Sequence, residues 1–117
     1  SLDMIAGMLI QARDFGPVLW VGPTPVIEAM MPITRIPGVI YDFSNNAIDE
    51  YNQAYTAKAA ELNVPYLDLF TPLAADPRWK QSLRKTDGLH PNAAAYELMA
   101  AHICGWAGWR ALFAANR

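Results

Sequence analysis

The chain has 117 residues, of which 53% are hydrophobic and 17% charged. That balance excludes a disordered chain, and the length sets one domain as the ceiling. Nine lysines and arginines against eleven acids give a net charge of -2, with no basic patch to hold nucleic acid or an anionic membrane surface.

Ser1 is placed to cap a first helix, in which Leu2, Ile5, Met8, Leu9 and Ala12 recur at helical spacing. Gly16-Pro17 ends it. The run Val18-Leu19-Trp20-Val21 does not alternate, so it reads as a buried parallel strand, stopped by Gly22-Pro23-Thr24-Pro25. Residues 26–43 form a long apolar loop, either a cap over the core or the wall of a site for an apolar group. Thr24, Val26, Ile27, Met30 and Met31 follow that strand and are the candidate substrate-pocket residues.

Ser44, Asn45 or Asn46 caps the second helix, whose apolar face carries Ile48, Tyr51, Tyr55, Ala59 and Leu62 and which stops at Asn63. Residues 64–70 read as a second buried strand, with Asp68 a structural acid near its end. Pro72 and Pro77 mark a loop, and residues 77–83 a short helix. Thr86-Asp87-Gly88 is a turn. Pro91 suits the first turn of a third helix over 92–103, with Ala93, Tyr96, Met99, Ala100 and Ile103 facing inward. Trp106, Trp109, Leu112 and Phe113 continue the helical spacing, the tryptophans covering the core or, alternatively, a partner surface; Trp20 packs on the sheet. Cys104, the lone cysteine, is expected as a core thiol; it excludes an internal disulfide framework and fits a reducing compartment.

Alternating helices and strands point to an α/β fold with a parallel sheet. Two strands fall short of the roughly four to six of ordinary sheets, and the first leaves an apolar edge. The chain therefore reads as the C-terminal half of one domain, its other strands coming from another segment or a partner chain. No apolar run approaches the ~20 residues that span a bilayer, and no signal peptide is visible.

The chemistry concentrates in Asp87-Gly88-Leu89-His90-Pro91. A carboxylate three residues before a histidine can accept from Nδ1–H and fix the tautomer, leaving Nε2 to take a proton from a nucleophile. The pair alone is also compatible with a helix-initiating turn in which Asp87 is a local cap and His90 is solvated. A metal site has little support, because the only other imidazole, His102, falls about three helical turns away.

Asp87-Gly88-Leu89-His90-Pro91-Asn92 with Ala95-Tyr96 resembles the last signature block of the SGNH, or GDSL-type, hydrolases. Residues 18–23 resemble that family's strand and Gly-Pro loop, residues 51–69 its helix-strand block, and residues 1–13 the helix after its Gly-x-Asn-Asp block. The resemblance implies a flavodoxin-like three-layer α/β/α sandwich and a Ser-His-Asp esterase for small-molecule esters without cofactor or metal. By the same resemblance, His90 is the general base and Asp87 its orienting partner. The family's Gly-Asp-Ser and Gly-x-Asn-Asp motifs are missing. The serines Ser1, Ser44 and Ser82, and the asparagines Asn45, Asn46, Asn52, Asn63, Asn92 and Asn116, lie in other contexts. The expectation is a chain that carries base and orienter without nucleophile or oxyanion hole, inactive by itself. The rival expectation is a non-catalytic α/β binding or scaffolding module.

Overall fold

A computed structural model describes residues 1–114; Asn116 lies outside the described residues. The elements are α1 (Leu2–Arg13), β1 (Trp20–Val21), α2 (Asn45–Leu62), β2 (Tyr66–Leu67), α3 (Phe70–Ala74), α4 (Pro77–Leu83), α5 (Ala93–Gly105) and α6 (Ala107–Ala114). The two strands are parallel, with Trp20 opposite Tyr66 and Val21 opposite Leu67. Trp20 N–H donates to Pro65 O and Gly22 N–H to Leu67 O, each at 2.9 Å. The architecture is thus helix-rich α/β around a small parallel sheet.

Local chemistry explains the helix ends. Ser1 Oγ accepts from Met4 N–H at the start of α1, and Ser44 Oγ from Ala47 N–H at the start of α2. Asn63 closes α2 in the left-handed conformation, at φ 55°. Asp76 caps α4 ahead of Pro77. Asn92 caps α5 through Ala95 N–H, so Pro91 precedes the cap and is not in the helix's first turn.

Both strands are shorter than expected and only partly covered. Val18, Leu19 and Trp20 are half-buried, and Val21 is 38% exposed. Among the described residues β1 pairs with β2 alone. The apolar run 64–70 bends after Leu67 into α3, because Asp68 accepts the Thr71 backbone N–H (3.0 Å) and side-chain hydroxyl and so starts a helical turn. Trp20 packs on Tyr55 and Tyr66, with ring centroids 4.9 and 5.3 Å away.

Behind the strands runs a polar chain. Asn52 of α2 is buried, accepts from the Tyr66 hydroxyl at 2.7 Å and donates to Asp68 Oδ1 at 3.0 Å. Burial pushes the Asp68 carboxyl up, but the Thr71 hydroxyl and N–H and the Asn52 amide outweigh it and hold Asp68 below its ordinary value. Burial first, then the Asp68 charge, push the Tyr66 phenol far up, so it remains a donor. Gly22 makes room for this contact: a Cβ there would meet the Tyr66 hydroxyl and lie 2.7 Å from the ring carbon bearing it. The buried face of α2 therefore centres on Asn52 and Ala59, and Tyr51, expected inward, is exposed.

The tightest packing is elsewhere. Leu69, Leu73, Trp79, Leu83 and Ala95 form a cluster in which each is at most 1% exposed, with Ile27, Leu67, Leu98 and Met99 around it. Trp79 Nε1–H donates to Pro25 O at 3.0 Å, tying α4 to the segment that leaves β1. Helix α5 presents Ala95, Leu98 and Met99 to this cluster, whereas Ala93, Tyr96 and Ala100 face outward, contrary to expectation. The Asn92 amide sets this rotation: its oxygen accepts from Ala95 N–H and its nitrogen donates to Ser82 O, both at 3.0 Å. Ile103 is half-buried. Cys104 falls on the outward side of α5 and is exposed, so it is not a core thiol. The helical spacing breaks at Trp106, whose backbone turns extended between α5 and α6. Trp106 and Trp109 are half-buried there, outside the core cluster. Among the described residues no helix is long and apolar enough to cross a membrane.

Candidate active site

The segment 84–92 crosses from α4 to α5 over the core cluster, and a backbone clamp builds its turn. Asp87 Oδ1 accepts from Leu89 N–H at 2.9 Å and from His90 N–H at 2.8 Å. Gly88 adopts φ 85°, which side chains disfavour, and a Cβ there would sit 2.9 Å from Met30 Cβ. Its carbonyl accepts from Ile27 N–H at 2.9 Å. The turn is thus seated on the segment that follows β1, beyond the carboxyl end of that strand, where ligands of open parallel sheets bind.

The clamp leaves Asp87 Oδ2 facing the imidazole. His90 Nδ1 lies 2.6 Å from it, with the Asp87 side chain 6% exposed and the His90 side chain 65% exposed. Burial pushes the Asp87 carboxyl up. The His90 and Leu89 backbone N–H groups and the His90 ring outweigh that and hold it well below the usual carboxylate range. An ionised Asp87 accepts from Nδ1–H, which puts the histidine lone pair on Nε2, on the open side of the ring. This arrangement can take a proton at Nε2 and stabilise the imidazolium that results.

Arg35, which the sequence reading missed, also reaches this carboxylate: its Nη2 donates to Asp87 Oδ2 at 2.6 Å from 52 residues away in the chain. It stands on the 26–43 segment, which is ordered by several contacts. Val26 N–H donates to Asn45 Oδ1 at 2.8 Å, and Asn45 Nδ2 donates back to Val26 O at 2.9 Å. A 3-10 turn spans Glu28–Met30. Ile33 and Tyr41 exchange backbone hydrogen bonds of 2.7 and 3.0 Å, so 34–40 form a small antiparallel loop carrying Arg35. The expected long loop over 26–43, read as a cap over the core or the wall of an apolar site, thus holds a 3-10 turn and a hairpin-like arm.

Around the pair lies an open cleft of about 480 Å³, lined by Arg35, Lys85, Thr86, Asp87, His90, Pro91 and Asn92. The five residues expected to line a pocket are not among these. Val26 is 3% exposed and belongs to the core. Ile27 and Met30 lie beneath the Gly88 turn, Ile27 packed on the core cluster. Thr24 and Met31 are half-buried and line neither this cleft nor the groove at the sheet's other end. That groove, of about 450 Å³, lies where the strands begin, between Pro17, Val18, Pro65 and α6. The serines are engaged elsewhere. Ser1 and Ser44 are helix caps, and Ser82 is buried with Oγ donating to Arg78 O at 2.9 Å. His102 is on the half-buried side of α5, in none of the cleft's contacts.

A model of the GDSL-like lipase/acylhydrolase family matches residues 4–98. The chain belongs to that family. The match runs from α1 through the Asp87–His90 turn and into α5, and at the family level it makes the protein a hydrolase of the esterase kind. No curated protein matches the chain.

Proposed function

We propose that this GDSL-family chain is the C-terminal half of a carboxylic ester hydrolase, with His90 as general base and Asp87 as the residue that orients it. The observation that carries this is the 2.6 Å contact between His90 Nδ1 and Asp87 Oδ2, on a carboxylate fixed by two backbone amides, with the ring's other edge open to a cleft. The complete domain is a flavodoxin-like three-layer α/β/α sandwich, in which further strands add along the free edge of β1. Incompletely covered strands and, among the described residues, a single strand neighbour of β1 favour that completion.

In the reaction, a serine from outside these residues attacks the ester carbonyl carbon and its hydroxyl proton passes to His90 Nε2. The tetrahedral intermediate collapses, the C–O bond to the alcohol breaks, and Nε2 returns the proton to the leaving oxygen. Water then attacks the acyl-enzyme and gives a proton to Nε2; the bond from the acyl carbon to the serine oxygen breaks, Nε2 returns the proton to that oxygen, and the acid leaves. Asp87 stays ionised throughout and holds the imidazolium. A base of this kind is worth roughly 10²–10⁴-fold in rate.

The test is a fluorophosphonate probe applied to the native preparation, read by intact mass. Label on a species above 12.9 kDa that contains this sequence, or on a separate copurifying chain, is the expected result. Absence of label on every such species overturns the hydrolase reading and favours a binding module. The 117-residue chain alone is expected to turn over no ester. Turnover by it that His90→Ala abolishes would overturn the division of the site between two segments.

A further inference from the structure

We infer that the cleft holds an anion: Arg35 and Lys85 form a subsite beside His90 for a carboxylate or phosphate group carried by the ester substrate. The assignment of the ligand as a substrate rests on the hydrolase reading; the anion subsite itself rests on charge and geometry.

The cleft lining contains two cations, Arg35 and Lys85, and one carboxylate, Asp87. The carboxylate is fully used. Its two oxygens accept from Leu89 N–H, His90 N–H, the His90 ring and Arg35, about the four acceptor positions a carboxylate offers. Asp87 therefore has no further position for Lys85. The Lys85 side chain is exposed and makes no hydrogen bond or ion pair among the described residues. Arg35 spends one N–H on Asp87 and remains 72% exposed, so about four of the guanidinium's five donors stay available to a ligand. Its pairing with Asp87 anchors the guanidinium at the cleft wall, so less side-chain freedom is lost when an anion arrives.

Cations placed at one side of a general base select substrate rather than assist proton transfer. The ester carbonyl must lie against the serine whose proton Nε2 takes, and a second, negatively charged group of the same molecule then meets Arg35 and Lys85. A neutral ester leaves both cations solvated and gains nothing from them. A short half-ester of a dicarboxylic acid and an ester bearing a phosphate share the required chemistry.

The test uses the 117-residue chain with ¹⁵N-labelled histidine. Inorganic phosphate, acetate and neutral acetamide are titrated at constant ionic strength, with the His90 and His102 ring signals followed. Expected is a saturable shift of His90, with His102 unmoved, for phosphate and acetate but not acetamide. The tighter of the two anions identifies the phosphate or the carboxylate source. Lys85→Gln and Arg35→Gln each weaken the half-saturation by about tenfold, the worth of one charge-assisted contact. Lys85→Gln leaves the Asp87 contacts in place, so it decides the matter even where Arg35→Gln disturbs the turn. The tautomer of His90 in anion-free protein is read from the same spectra. Loss of the Nδ1–H tautomer overturns the base assignment without touching the anion result. A His90 shift that never saturates, or a half-saturation that Lys85→Gln leaves unchanged, overturns the subsite.

Discussion

At the residue scale, Asp87 and Gly88 fix the position of His90. The Asp87 carboxyl lies below its ordinary value in the folded chain because backbone and ring donors outweigh its burial. A folded value below the unfolded one means that ionised Asp87 stabilises the fold above the unfolded carboxylate value of about 4. That contribution disappears as pH falls from there through the folded value. The stability gap between wild type and Asp87→Asn, measured by urea unfolding, should therefore shrink as pH is lowered from about 5 to about 2. A gap constant over that range would show that the carboxylate charge is not what holds the turn. Gly88 answers to two constraints at once, its φ of 85° and Met30 Cβ 2.9 Å from where a side chain would begin. Gly88→Ala should cost about 1–3 kcal/mol and shift the His90 ring resonances. Equal denaturation midpoints for the two proteins would mean that the turn relaxes freely.

At the element scale, α2 and the two strands are joined by a polar contact that apolar patterning does not reveal. Asn52 Oδ1 is buried and accepts from the Tyr66 hydroxyl. Tyr66→Phe should then cost about 1–3 kcal/mol, because the amide oxygen loses its donor away from water. Gly22→Ala drives a methyl into the same hydroxyl, so the two substitutions are coupled. In a denaturant double-mutant cycle the pair should cost less than the sum of its members, since removing the hydroxyl also removes part of the clash. Strict additivity would place the Gly22 constraint elsewhere. Helix caps at Ser1, Ser44 and Asn63, the α4 helix and the Asp87–His90 spacing were legible because each is an interaction within a few residues. Arg35 was not, since nothing local marks an arginine that pairs 52 positions away. The bend at Asp68 is hidden in the apolar run 64–70, which periodicity alone cannot assign to strand or helix, and the rest of α3, expected as a loop at Pro72, is helical through Ala74. The inward face of α5 is only partly legible, Met99 but not Tyr96 or Ala100, because its rotation is set by the tertiary bond of Asn92 to Ser82 O. Ile27 and Met30, expected as pocket lining, support the Gly88 turn from below and lie outside the cleft.

At the scale of the whole molecule, burial is uneven, and that unevenness has a measurable consequence. The cluster of Leu69, Leu73, Trp79, Leu83 and Ala95 is shut from solvent, whereas no residue of α1, β1, β2 or α6 is buried. Met4, Met8 and Phe15 are largely exposed along and just after α1. Local opening free energy follows buried apolar contacts, so the sheet end should open at far lower cost than the core beneath the Asp87–His90 turn. Native-state hydrogen exchange reads this directly. The amides of Trp20 and Gly22, bonded across the sheet to Pro65 and Leu67, should exchange well before those of Leu73 and Leu83. Completion of the domain along the β1 edge would cover that end and bring both sets toward a common, slower rate. Equal protection of both sets in the 117-residue chain alone would contradict an open sheet end. A protein-concentration dependence of that protection would locate the cover in a second copy, because association stabilises by mass action whereas folding of a single chain does not depend on concentration.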